Sequence, residues 1–202
     1  WHLNELSDRP LEITIFEAAD RLGGKLLTAT FSEAEVQYEA GAAAVQIFDS
    51  WAGSLSVEDY RESAMPWSRR LIDRVRAAGV PVIHYFGGNP ALLESVAEAG
   101  GDGISVDWRL PLDEAWRRIG HDRVIQGNLD PLALLAGNEV AVRKANEVLA
   151  RAAGRPGHIF NLGHGLHPDT DHRVIAAVVE AVQAFDLEAA RERGEPGVEV
   201  SR

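Results

Sequence analysis

Five short apolar runs, each ending abruptly in polar residues or glycine, constrain this chain more than any other feature of its sequence. A run that switches in this way is typical of a buried strand that delivers polar side chains and bare backbone to the rim of a sheet. Five such strands, with their polar tips along one edge, predict one shared site. The predicted strands are residues 45–48, 81–86, 103–106, 123–126 and 158–161.

The segments between these runs carry apolar residues at the three- and four-residue spacing of amphipathic helices. Ser56 and Asp59 form a predicted capping box at the start of the first helical segment, and Thr170 is predicted to cap the last. Alternating strands and helices favour a parallel sheet, either open and doubly wound or closed as a (β/α)8 barrel. Five polar tips favour the barrel, because an open sheet concentrates its function at one switch point.

The predicted fold class is therefore α/β: a partial (β/α)8 TIM-type barrel of five βα units with a short N-terminal β-containing segment. The predicted divisions are an N-terminal segment at 1–41, the partial barrel at 42–190 and a polar tail at 191–202. An unclosed sheet has two edges, and exposed edges recruit other chains. Strands near 11–16 and 26–31 are predicted to cover one edge. The other edge predicts self-association, for example as a homodimer.

The composition narrows the classes of function. A chain of 202 residues that is 46% hydrophobic suits one domain with a sizeable core. It contains no cysteine, which excludes disulfides, thiolate nucleophiles and cysteine-ligated metal sites. Its formal net charge of −11 disfavours nucleic acid and anionic membranes as partners. Without an apolar run of membrane-spanning length or a signal pattern, the sequence predicts a soluble, cytoplasmic protein.

The N-terminal segment has a pattern of its own. Residues 11–16 form a β-rich run that ends at Glu17, and Arg21, Gly23 and Gly24 follow. Residues 2–41 thereby resemble a piece of the FAD-dependent amine oxidase and protoporphyrinogen oxidase family. The resemblance implies that Glu17 contacts a ribose and that the other three lie near the flavin phosphates. A plain strand and turn explain the same residues, and the family's Gly-x-Gly-x-x-Gly turn is not in the sequence, so no cofactor is predicted.

Four motifs carry a second and more extensive resemblance. They read FDSWAG at 48–53, VDWR at 106–109, QGNLDP at 126–131 and FNLGHG at 160–165. In this order and spacing they resemble the uroporphyrinogen decarboxylase family, over the last five βα units of its barrel at about 41–185. The resemblance implies a cofactor-free lyase of haem synthesis. Such an enzyme removes carbon dioxide from the four acetate side chains of uroporphyrinogen and gives coproporphyrinogen.

The resemblance implies roles for two residues of this chain. Ser50 would contact the substrate, and His164 would hydrogen-bond a substrate carboxylate or pyrrole region. The family's other site groups are an aspartate, an arginine-rich segment and a tyrosine. They belong to its N-terminal part, which is not in this sequence, so no catalytic residue is predicted here. Arg109 is the only arginine at a predicted strand tip that could pair with a carboxylate of the substrate.

Each polar tip also has a purely structural interpretation. Ser50 could cap a strand end, and His164 could hydrogen-bond within its own tight turn. Asp49 and Asp107 could be helix or loop caps, and Asn128 and Asp130 could brace the loop before Pro131. The remaining histidines show no metal-ligand spacing, so no metal site is predicted and surface or core roles are favoured. They are His2, His84, His121, His158, His167 and His172.

The sequence bears on two other functions. Relatives in this superfamily include zinc-dependent methyltransferases that hold their metal with cysteine and histidine, and the lack of cysteine excludes that chemistry here. The second alternative is a catalytically inactive fragment or gene-fusion product that lacks the N-terminal half of the site. The join near residues 39–42 reads Glu-Ala-Gly-Ala, a run that both resembled families plausibly share. We expect this chain alone to bind porphyrinogen weakly and to turn it over negligibly.

Overall fold

A computed structural model describes residues 13–15, 27–29 and 44–193 of the chain. The chain divides into two compact units, Trp1–Ser105 and Val106–Arg202. In both units parallel strands alternate with helices, which confirms the predicted α/β class. In the described ranges, no helix is long and apolar enough to cross a membrane.

The first unit is built on a sheet with strand order β2-β1-β3-β4-β5. Strands β3, β4 and β5 are parallel, whereas β1 pairs antiparallel with both β2 and β3. Strand β1, which falls within the predicted run 11–16, therefore covers the outer edge of β3 as the sequence predicted, and β2 pairs with β1. The strands are β1 Ile13–Ile15, β2 Leu27–Ala29, β3 Val45–Asp49, β4 Val82–Phe86 and β5 Gly103–Ser105.

Helices connect the parallel strands of the first unit. The Ser56 hydroxyl accepts a hydrogen bond from the Asp59 N–H at 3.0 Å, which confirms the predicted cap. The helical segment after it is regular on both sides of a π-helical turn at Tyr60–Ala64. Its inner face buries Ile72 and Val75 against β3 and β4. The helices are α1 Val57–Asp59, α2 Met65–Ala77 and α3 Leu93–Ala99, with 3-10 turns at Ala52–Ser54 and Pro90–Leu92.

The described part of the second unit contains two parallel strands and four helices. Trp116 in this unit is completely buried, and its indole N–H donates to the Arg123 carbonyl at 2.8 Å. The elements are α4 Leu112–Ile119, β6 Val124–Leu129, α5 Asn138–Ala152, β7 His158–Leu162, α6 His172–Gln183 and α7 Leu187–Arg193, with a 3-10 turn at Pro131–Ala136.

Two local predictions for this unit are wrong. Strand β6 continues to Leu129, beyond the predicted end at 126, because buried Asn128 finds partners for its amide within the fold. The cap of α6 is Asp171 and not Thr170. The Asp171 carboxylate accepts from the Arg173 N–H at 2.9 Å and also binds the Arg173 guanidinium. This ion pair favours Asp171, while the Thr170 hydroxyl is buried without a hydrogen-bond partner in the described part of the chain.

Candidate functional site

The carboxyl end of β3 is organised by the side chain of Asp49. Its Oδ2 atom accepts three hydrogen bonds, all from within the first unit. The donors are the Ser68 hydroxyl at 2.7 Å, His84 Nε2 at 2.9 Å and the Tyr60 hydroxyl at 3.2 Å. The three donors come from α2, β4 and the π-helical turn, so one oxygen atom joins strand and helix layers. We call these four residues the Asp49 cluster.

Burial and hydrogen bonding act in opposite directions on Asp49. Burial favours the neutral acid, but the bond to His84, the charge of His84 and the bonds from Ser68 and Tyr60 outweigh it, and the pKa of Asp49 lies below its ordinary value. Burial and the Asp49 charge together raise the pKa of Tyr60 far above its ordinary value. Asp49 is therefore an ionised acceptor and Tyr60 a neutral donor.

His84 has no accessible surface, and because the ionised Asp49 carboxylate can only accept, Nε2 is the donor in the bond between them. Its Nδ1 atom is buried with no hydrogen-bond partner in the described ranges. The sequence favoured a surface or core role for this histidine, and it is a core residue. Its partnership with Asp49 was missed. The one available signal was a polar residue inside the apolar run Val82–Phe86, and only the parallel register of β3 and β4 brings that residue to Asp49.

Ser50 directly follows this cluster and is exposed to solvent. Because side chains alternate along a strand, Phe48 points to the face opposite Asp49, where its ring lies 5.3 Å from that of Tyr85. The Ser50 hydroxyl makes no hydrogen bond within the described residues, so the strand-end cap is not observed. Trp51, the next residue, is 86% exposed.

The loops after β3 and β4 pack tightly against each other. A methyl group added at Gly53 would overlap the carbonyl oxygen of Gly87, so only glycine fits there. Gly88 has a φ of +95°, a conformation that favours glycine. The Asn89 side chain donates to the Leu55 carbonyl at 3.2 Å. The loop that bears Ser50 is therefore fixed to its neighbour through backbone contact.

The second unit brings together the other three motifs. Asp107 accepts the Arg109 N–H at 2.9 Å, which is the loop cap that the sequence left open, and it also binds the Arg109 guanidinium. That guanidinium lies 4.4 Å from the centre of the Trp108 ring, and the Arg109 side chain is 47% exposed. Arg109 is thus a cation held by an aspartate and an aromatic ring, with half of its surface open to solvent.

Buried side chains and a glycine contact connect these motifs. Asn128 donates to the carbonyls of Asp107 and Leu110, at 2.9 and 2.7 Å, so it braces the VDWR turn and not its own loop. Asp130 does brace its own loop, because it accepts the Leu132 N–H at 2.9 Å. A methyl group at Gly163 would lie 2.7 Å from the backbone nitrogen of Trp108, which places the FNLGHG motif directly against the VDWR motif.

His164 follows Gly163 and is exposed. Because Ser50 lies in the first unit and His164 in the second, their predicted opening onto one cleft stays a prediction. Of the other histidines, His158 in β7 hydrogen-bonds the Gly127 carbonyl at 2.9 Å, and burial lowers its pKa. In the part of the chain that the structure describes, no group of three or more metal-ligating side chains is gathered.

Fold and motifs together define a class: a partial (β/α)8 barrel with its polar motifs at the carboxyl ends of parallel strands. A methyltransferase from Methanosarcina mazei shares the fold with a TM-score of 0.63, at 24% identity over 74% of this chain and 44% of that one. The family described as uroporphyrinogen decarboxylase (URO-D) matches residues 13–185. The chain belongs to this family.

Curated relatives give the same assignment. Three named uroporphyrinogen decarboxylase come from Sorangium cellulosum, Carboxydothermus hydrogenoformans and Streptomyces coelicolor, at 50%, 49% and 52% identity. The matches cover 89%, 82% and 81% of this chain, but only 51%, 47% and 45% of the relatives. The chain therefore spans about half the length of the curated relatives it matches.

The family match begins at residue 13 and so includes most of the segment that resembled a flavoprotein. These comparisons do not show that flavoprotein resemblance. Glu17, Arg21, Gly23 and Gly24 lie outside the described residues. The predicted divisions at 41 and 190 stay predictions.

Proposed function

We propose that this chain is the C-terminal part of a uroporphyrinogen decarboxylase, a cytoplasmic carboxy-lyase of haem synthesis that acts on uroporphyrinogen without a cofactor. The observation that carries the proposal is the family match over residues 13–185, with all four motifs at or beside strand ends. In each of four steps the proposed reaction converts an acetate side chain into a methyl group and releases carbon dioxide.

The chemistry assigns binding roles to this chain. Protonation of a pyrrole carbon turns the ring into an electron sink, and the bond from the methylene carbon to the carboxylate then breaks with release of carbon dioxide. A proton adds to the methylene carbon and the pyrrole carbon loses its extra proton, so each step takes up one proton overall. Ser50 is proposed to hydrogen-bond the substrate and His164 a substrate carboxylate. Arg109 offers a cation that is already oriented by Trp108 and Asp107. Asp49 is a positioning residue, because it fixes the end of β3 from which Ser50 projects.

The proton-transfer groups are assigned to the part of the family that this sequence does not span. One preorganised electrostatic group commonly contributes on the order of a hundred- to a thousandfold in rate. A chain without the family's aspartate and arginine-rich segment should therefore bind porphyrinogen weakly and release little coproporphyrinogen. The alternative function, an inactive fragment, also predicts that little coproporphyrinogen is released.

The test is anaerobic incubation of the chain with uroporphyrinogen, followed by chromatography of the oxidised products. Binding is followed in parallel by tryptophan fluorescence, since Trp51 adjoins Ser50 and is exposed. We expect binding that weakens in Ser50→Ala and His164→Ala, with negligible turnover. Binding that neither substitution changes would contradict the assigned contacts, and turnover at the rate of a full-length relative would contradict the assignment of proton transfer.

A further inference from the structure

Arginine and lysine are almost absent from the loops that follow the carboxyl ends of the parallel strands. In the described part of the chain these loops are residues 50–56, 87–89, 106–111, 130–137 and 163–171. Arg109 is the only arginine or lysine in them, although the whole chain contains 20 such residues. Because barrel enzymes bind their ligands with these loops, Arg109 is the one permanent cation that the described loops offer to a polyanionic ligand.

The turn that bears Arg109 is held by bonds that do not involve its guanidinium. The Asp107 carboxylate accepts the Arg109 N–H at 2.9 Å, and buried Asn128 donates to the carbonyls of Asp107 and Leu110. Gly163 packs so closely against the turn that an added methyl group would lie 2.7 Å from the backbone nitrogen of Trp108. These contacts shape the turn through its backbone, which leaves the guanidinium available for another role.

The guanidinium itself is oriented but only partly used. Its Nη1 atom donates to the Asp107 carboxylate, and the group lies 4.4 Å from the centre of the Trp108 ring. These two contacts reduce the side-chain freedom that Arg109 would otherwise lose on binding a ligand. Nε and Nη2 make no hydrogen bond to a described residue, and the side chain is 47% exposed. The Nε and Nη2 edge of a guanidinium matches the two oxygen atoms of one carboxylate.

The proposed reaction indicates which carboxylate of the substrate suits this cation. An ion pair stabilises a carboxylate anion, and that stabilisation is lost when the carboxylate leaves as neutral carbon dioxide. An arginine that bound the reacting acetate would therefore stabilise the ground state more than the transition state and slow the reaction. Each pyrrole ring of uroporphyrinogen also carries a propionate, which does not react. Only the propionates persist through all four steps and into coproporphyrinogen.

We propose that Arg109 binds a propionate carboxylate of the porphyrinogen through Nε and Nη2 and so anchors the ring in every decarboxylation step. The inference rests on the proposed function and adds to it the class of side chain that Arg109 recognises. It assigns Arg109 to the part of the ligand that substrate, intermediates and product share. Arg109 should therefore not distinguish uroporphyrinogen from coproporphyrinogen.

The test measures the binding of both porphyrinogens to the chain by anaerobic equilibrium dialysis. Arg109→Gln removes the charge and the planar fork, whereas Arg109→Lys keeps the charge and loses the fork. Arg143→Gln is the matched control, because it changes the net charge equally on α5, where Arg143 pairs with Glu147 on the exposed surface.

We expect Arg109→Gln to weaken the binding of both porphyrinogens roughly tenfold or more and by similar factors. Arg109→Lys should weaken both by less, and Arg143→Gln should change neither by more than about twofold. In the unchanged chain, the NMR signal of Arg109 Nε should shift when coproporphyrinogen is added. A role for Arg109 in shaping the turn alone would not produce that shift.

A loss of affinity confined to uroporphyrinogen would assign Arg109 to an acetate and overturn the inference. Equal effects of Arg109→Gln and Arg143→Gln, or an Nε signal that does not move, would also overturn it. Circular dichroism checks that Arg109→Gln is folded, and if it is not, Arg109→Lys and the Nε signal decide. Weaker coproporphyrinogen binding in Arg109→Gln, with uroporphyrinogen binding unchanged in Ser50→Ala and His164→Ala, would leave the inference standing and count against the proposed contacts.

Discussion

Two strand-end aspartates in this molecule look alike in sequence and differ in structure. Asp49 and Asp107 each follow an apolar run and precede a tryptophan by two residues or one. Asp49 binds side chains 11, 19 and 35 positions away in the chain. Asp107 binds the backbone and guanidinium of Arg109, two positions away. The same local pattern therefore joins distant side chains at Asp49 and includes a turn at Asp107.

The sharpest way to break this comparison is to remove the Asp49 carboxylate. Asp49→Ala leaves three buried donors without their acceptor, and we expect the free energy of unfolding to fall by about 3–5 kcal/mol. Urea unfolding followed by circular dichroism measures it. A loss no larger than that of Asp107→Ala would show that the two aspartates do not differ in the way described.

A second effect concerns the contact between the loops after β3 and β4. Gly53→Ala forces a methyl group against the Gly87 carbonyl, and we expect a loss of about 1–3 kcal/mol. Gly165→Ala is the control, because nothing lies within 4 Å of a methyl group there. Equal melting temperatures of the two variants would contradict the close approach at Gly53.

A smaller loss is expected at the second aspartate. Asp107→Ala removes a loop cap whose donor, the Arg109 N–H, is next to a half-exposed side chain. We expect about 1 kcal/mol, the usual cost of losing a capping side chain. Chemical denaturation of Asp107→Ala and Asp49→Ala under the same conditions measures the ratio of their losses in unfolding free energy. The Arg109 guanidinium should also become more mobile, which its NMR side-chain signal would report.

The smallest effect is the pH dependence of the Asp49 contribution. Folding lowers the pKa of Asp49 below 3.8, so the folded state binds its proton less readily than the unfolded state. The stabilisation is complete above about pH 4 and is lost as the pH falls through the lower folded-state pKa. The difference in unfolding free energy between the wild type and Asp49→Asn should therefore shrink below about pH 4. A difference that stays constant down to pH 3 (about one unit lower) would contradict the sign of this shift.

Local signals predicted most of the fold. Apolar runs located all five parallel strands. The Ser56 cap could be predicted because its partner, Asp59, is only three positions away in the chain. Prediction from the sequence failed where the structure depends on partners that are distant in the chain. Strand β6 is longer than its apolar run because Asn128 is satisfied by carbonyls 21 and 18 positions away. For the site, the motifs nominate Ser50 and His164, whose roles stay predictions. The Asp49 cluster escaped prediction because it depends on the register of β3 and β4.

The glycine contact between the loops after β3 and β4 has a consequence for motion. Residues on both loops touch through backbone atoms, so neither loop can swing outward without carrying the other. The Asp49 cluster, in turn, ties the base of the first loop to two helical segments. A ligand that reaches Ser50 therefore meets a wall whose shape is set before it arrives. Under the proposed function, recognition on this side depends on fit to a surface that these two loops and the Asp49 cluster hold in place.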